Sequence, residues 1–107
     1  MDDIKLYIIV NDSLKMSVGK IISQCCHSVI DVIKTKNKFY NIWIKNNQPI
    51  IVLRANENIL YDIIDTNKNV IQIYDMGLTQ VKHNSLTCIA LQLNDKYPDI
   101  IKKLKIY

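Results

Sequence analysis

"IKLYIIV", Ile4 to Val10, decides the fold. A strand with one wet face alternates apolar and polar residues. This run is almost continuously apolar and β-branched, so it reads as a strand buried on both faces. "NDSLKM" follows with turn and cap chemistry at Asn11, Asp12 and Ser13. Ser17 is placed to cap a helix that runs to about Lys36. At about 100° per residue, Ile21, Ile22, Cys25, Val29, Val32 and Ile33 fall on one side of that helix. Lys20, Ser23, Gln24, His27, Asp31 and Lys34 fall on the other.

The same reading continues down the chain. Asn37 to Asn46 reads as a second helical piece. "QPIIVLRA" gives a strand over Ile50 to Ala55, and Asn56 caps the helix of "NENILYDIIDTNK". "NVIQIYD" is a third strand ending at Asp75, "LTCIALQL" a fourth over Leu86 to Leu93, and "DKYPDIIKKL" a short closing helix with Pro98 in its first turn. Strands alternating with helices argue an α/β layer fold with a mixed sheet. The link between strands three and four is too short for a helical crossover, so that pair is antiparallel or lies apart in the sheet.

A chain of 107 residues suffices for one core and one domain, residues 1–107. No apolar run reaches the roughly 18 residues of a membrane-spanning helix. "MDDIKLYIIV" has no basic segment before its apolar run and no small-residue cleavage site after it, so no signal peptide is read. Three cysteines are an odd number without framework spacing, which suits reduced thiols in a cytosol-like compartment. The net charge of +4 leans toward an anionic partner.

"GKIISQCCHSV", Gly19 to Val29, concentrates reactive residue types. Adjacent Cys25 and Cys26 point about 100° apart on a helix and cannot both grip one ion, and Cys88 lies within a buried strand. Cys25 reads as a small core residue. Cys26 is more open, and a nucleophilic thiolate there stays an alternative. Lys20, Gln24 and His27 share one face at i, i+4 and i+7. Such a face is either a solvated helix surface or a working one. The helix start at Gly19 and Lys20 adds free N–H groups and a positive dipole end, a seat for a phosphate or an oxyanion.

"KMSVGKIISQCCHSV" resembles the K-M-x-x-G-K-x-x-x-Q-x-x-H-[AS] signature of the peptidyl-tRNA hydrolase type 2 family. "QPIIVLRANENIL" resembles its Q-P-K-V-V-[VL]-[KR] strand, "IQIYDMGLTQV" its I-x-D-A-G-x-T-Q-[IV] segment, "NSLTCIAL" its G-x-x-T-x-x-x-[IL], and "LKIY" its terminal L-K-L-Y. The blocks stand in the family's order from Lys5 to Tyr107. Val18, Met76, Leu78 and Asn84 depart from the pattern. Val18 and Leu78 stand where basic residues are common, and Lys15, Lys82 and Arg54 are near enough to compensate. Asn84 replaces a glycine, a mild change because Asn tolerates positive φ.

The resemblance implies a three-layer α/β domain with a four-stranded mixed sheet and helices on both faces, usually a homodimer. It implies a cytoplasmic hydrolase of the ester joining a nascent peptide to the 3′ ribose of tRNA, needing no metal or organic cofactor. The catalytic residues it points to are Lys20, Asp75, Thr79 and Thr87, with Gly19, Gln24, His27, Gln80 and Lys15 contacting substrate. Asp75 would orient or activate water, with His27 as the alternative general base, Lys20 would hold phosphate or stabilise negative charge, and the two threonines would position groups. On this reading Lys20→Ala cuts turnover far more than it destabilises the fold. Two other readings compete: a catalytically inactive relative that binds tRNA or a protein partner, and a plain oligomerising α/β domain.

Overall fold

The structure, a computed structural model, describes residues 4–76 and 84–107. The run that decides the fold forms β1 (Leu6–Asn11). It sits inside a mixed sheet with β2 (Ile50–Ala55), β3 (Val70–Tyr74), β4 (Leu86–Leu91) and β5 (Lys105–Ile106), in the order β3-β4-β1-β2-β5. β1 pairs parallel with β2, while β1–β4, β3–β4 and β2–β5 are antiparallel. The short link between β3 and β4 therefore closes an antiparallel pair, one of the two arrangements its length allows.

The sheet has five strands where four are expected. β5 is two exposed residues long, too short to show any periodicity, and it is held by pairing with Leu53 and Arg54 and by the Tyr107 N–H donating to the Val52 carbonyl at 2.9 Å. The closing helix is a 3-10 turn over Asp99–Lys103 with Pro98 at its cap.

α1 (Val18–Thr35) begins where Ser17 Oγ accepts from the Lys20 N–H at 3.3 Å. α2 covers Tyr40–Lys45, and α3 (Glu57–Thr66) starts at Asn56, whose side chain accepts from the Ile59 N–H at 3.0 Å. Alternate strand residues feed two apolar clusters. Ile8, Val10, Ile71, Ile73 and Ala90 pack with Ile21 and Val32 of α1 and Trp43 of α2. Ile9, Leu53, Ile89 and Leu91 pack with Leu60 and Ile63 of α3. Each fully buried aliphatic side chain contributes about 1.5–3 kcal/mol of transfer free energy, so these clusters hold the frame on which the polar groups are mounted.

The inward face of α1 only partly follows the apolar stripe seen in the sequence. Ile21, Gln24, Ser28 and Val32 are buried, whereas Ile22 and Ile33 are exposed. Two polar residues can turn inward because both find partners there. Ser28 Oγ donates to the Cys25 carbonyl at 2.7 Å, and Gln24 meets Thr87.

Candidate active site

Asp75 follows the last residue of β3, and its main chain is tied on both sides. Its N–H donates to the Ser85 carbonyl at 2.9 Å, and its carbonyl accepts from the Asn84 N–H at 2.7 Å. Asn84 has φ 65°, the left-handed conformation that Asn tolerates in place of glycine. This turn aims the Asp75 side chain at α1, where its Oδ1 meets the Lys20 ammonium. The two side chains are 3% and 8% exposed, so the ion pair is almost wholly out of water. Buried pairs of this kind carry large desolvation costs and persist where geometry is close.

A second device lies one turn along the helix. In the β3–β4 ladder Ile73 faces Cys88 and Tyr74 faces Leu86, which leaves Thr87 as the extra residue of a bulge. Strict alternation would put Thr87 and Cys88 on opposite faces. The bulge turns both toward α1: Cys88 Sγ contacts the Gln24 carbonyl oxygen at 3.5 Å, and Thr87 Oγ1 lies 2.7 Å from Gln24 Oε1. Thr87 Oγ1 is also 2.9 Å from the Ile73 carbonyl oxygen. Its single proton serves one of these two acceptors at a time. Thr87 is fully buried, so its hydroxyl acts on Gln24 rather than on anything in solvent.

Lys20, Gln24, His27 and Asp75 line one groove of about 450 Å³ between α1 and β3, joined by Ser23, Ile30, Asp31, Lys34 and residues 72 to 76 of the strand. The spacing in the sequence had marked the helix wall of this groove. Gln72, Tyr74 and Ile30 are not marked by any motif, although the alternation Val-Ile-Gln-Ile-Tyr does show a strand with one open side. Gly19 sits at the head of α1, and a Cβ there would meet nothing within 4 Å, so space is left beside the first-turn N–H groups. Lys15 is not part of the groove. It stands exposed after the 3-10 turn at Asp12–Leu14, 3.8 Å from the Asp12 carboxylate. Arg54 is on β2, with its guanidinium 5.7 Å from the Tyr107 ring. Thr79, Gln80, Leu78 and Lys82 lie outside the described residues.

The cysteines belong elsewhere. Cys25 and Cys26 line a separate apolar groove with Val18, Ile22, Val29 and Tyr107. Cys88 is buried, and contact with Cys25 together with burial pushes its thiol far above the ordinary range. The same contact holds Cys25 below its ordinary value against the opposing effect of burial. Among the described residues, no three His, Cys, Asp or Glu side chains gather as a metal-binding group.

Residues 4–107 match the family model of peptidyl-tRNA hydrolase PTH2. A peptidyl-tRNA hydrolase of Saccharolobus islandicus (strain L.S.2.15 / Lassen #1) is 31% identical over 103 residues, covering 82% of this chain and 84% of the relative. That of Saccharolobus solfataricus is 30% identical over the same length and with the same coverage.

Proposed function

The chain belongs to the peptidyl-tRNA hydrolase PTH2 family and hydrolyses peptidyl-tRNA, and we propose that the reaction runs through the buried Lys20–Asp75 pair at the head of the α1–β3 groove. In this reading Asp75 orients a water and takes its proton as the water attacks the ester carbonyl. The Lys20 ammonium stabilises the negative charge that grows on the carbonyl oxygen. The ester C–O bond then breaks, the proton passes to the departing 3′ ribose oxygen, and free peptide and tRNA result. Gln24, fixed through Thr87, and His27 border the reacting group, and Gly19 leaves room for the 3′ end. Thr79 and Gln80 belong to the same reading through their family motif. Lys15 stays in it as a phosphate contact outside the groove.

The observation that carries this is the convergence of Lys20 and Asp75, 55 residues apart, out of water in the one groove that also holds Gln24 and His27. The test is release of an N-acetyl-aminoacyl group from tRNA by purified protein, with Asp75→Asn beside it. Loss of release in a folded Asp75→Asn variant supports the pair. Undiminished release removes Asp75 from the mechanism.

The finer features follow the same reading. Residues 1–107 form one domain of three layers, with α1 and α3 on opposite faces of the sheet. The two apolar clusters fed by alternate strand residues support this. A second copy of the chain covers the apolar groove of about 690 Å³ lined by Val18, Ile22, Cys26, Ile50 and Tyr107, making a homodimer. Val18 and Ile22 are 72% and 57% exposed there, and a cluster of five exposed residues on one wholly apolar groove supports cover by a second copy. Among the described residues no helix is long and apolar enough to cross a membrane. With a tRNA ester as substrate, the cytoplasm is where the protein works.

A further inference from the structure

β3 is an edge strand: it pairs with β4 and has no strand on its other side among the described residues. Its inward main-chain groups are identified by their partners. The Ile73 carbonyl faces Thr87, and the Asp75 N–H and carbonyl face Ser85 and Asn84. Alternation along a strand then sends the N–H and carbonyl groups of Gln72 and Tyr74 outward, into the groove that these residues line. An open edge of this kind is a template for a further extended segment.

The geometry points to the peptide portion of the substrate as that segment: it lies extended along β3, parallel to it, with its ester end at Lys20–Asp75 and its N-terminal end toward Val70. This rests on the hydrolase reading above, which puts the scissile carbonyl at Asp75. The direction follows, because the peptide carbonyl carbon must be at the Asp75 end and the rest of the chain must leave along the groove.

Three observations favour a peptide over RNA in this groove. From Lys20 to Lys34 the helix wall is roughly 20 Å long, enough for about six extended residues. Among the described residues the charges of the lining cancel, with Lys20 and Lys34 against Asp31 and Asp75. A polyanion would be drawn to an excess of Lys and Arg instead. Finally, Ile30 and Met76 are exposed apolar groups lining the groove that accept side chains of many shapes. Main-chain hydrogen bonding to Gln72 and Tyr74 would hold any sequence, as a substrate with arbitrary side chains requires.

The experiment compares wild-type kinetics on tRNA carrying N-acetyl-aminoacyl, N-acetyl-tripeptidyl and N-acetyl-pentapeptidyl groups, each long peptide also made with alternate N-methylated amides. Gln72→Pro is measured alongside, since proline is tolerated on an outward-facing edge position but removes the N–H. The expected result is a KM that falls about tenfold from one residue to five, a gain lost on N-methylation, the equivalent of one or two main-chain hydrogen bonds. Gln72→Pro flattens the length dependence. A KM indifferent to length and N-methylation overturns the proposal. So does protection of the groove from chemical labelling by deacylated tRNA alone, which would assign it to RNA. Turnover of the short substrate with no length effect refutes the peptide track while leaving the hydrolase intact. Failure to release any substrate removes the hydrolase reading and this proposal with it.

Discussion

Gln24 on α1 and Thr87 on β4 are 63 positions apart in the chain and meet through a 2.7 Å hydrogen bond with both residues buried. The contact exists because one strand carries an extra residue. The β4 bulge turns Thr87 toward α1, and α1 in turn presents Gln24 to the sheet while Ile22 and Ile33 stay exposed. One end of the Gln24 amide is thereby fixed, and the side chain stays at the wall of the groove.

Thr87→Val keeps the shape and removes the hydroxyl. Gln24 Oε1 and the Ile73 carbonyl oxygen lose that partner, at a cost of about 1–3 kcal/mol, read as a lower urea midpoint. If Thr87 positions Gln24, kcat also falls while KM changes less, and Thr87→Ser restores both. A purely structural Thr87 would lower the midpoint and leave kcat alone.

Lys20→Ala is expected to damage the fold as well as turnover, contrary to the expectation from sequence, because Lys20 is buried against Asp75. Removing one member of such a pair costs about 3–5 kcal/mol by leaving the other charge uncompensated. The double variant Lys20→Met with Asp75→Leu should recover most of the stability of Lys20→Ala, measured by denaturant unfolding, yet remain inactive. Recovery of activity in the double variant would contradict the proposed chemistry.

Tyr97 predicts an alkaline limit to stability. Its hydroxyl donates to the Lys5 carbonyl at 2.5 Å and accepts from the Lys5 and Asn94 N–H groups, tying the start of β1 to the loop after β4. Burial is the main reason its phenol titrates above the ordinary value near pH 10. A raised folded-state value means a stabilising contribution that is fully present below about pH 10 and lost as pH rises through the folded value. Tyr97→Phe should cost about 1 kcal/mol at neutral pH and flatten the decline seen in thermal melts between about pH 9 and 11.

Ile22→Glu places a charge in the apolar groove at a side chain that contributes little to the monomer core. Sedimentation should show the wild type at twice the chain mass and the variant at the chain mass, with similar circular dichroism. Equal masses would remove the second copy from that face.

Much of the frame was legible in the sequence because it is local. Ser17 and Asn56 cap the helices they were expected to cap, Ile50–Ala55 forms the strand with the expected ends, and Asn84 takes the positive φ that its place in the motif suggested. The helix face carrying Lys20, Gln24 and His27 was legible too, since i, i+4 and i+7 coincide on any regular helix. β5 escaped because two residues have no period. The burial of Gln24 and Ser28 escaped because hydrophobicity alone would have turned Ile22 and Ile33 inward.

By itself, then, the sequence determined the longer helices and strands and the residue types at their ends, since caps, periodicity and turn propensity act over a few residues. The tertiary structure decided that β3 lies at the edge, that the bulge aims Thr87 at Gln24, and that Lys20 finds Asp75 out of water. Each of these depends on pairing between distant segments, where the register of one strand against another and the satisfaction of buried polar groups outweigh any local preference.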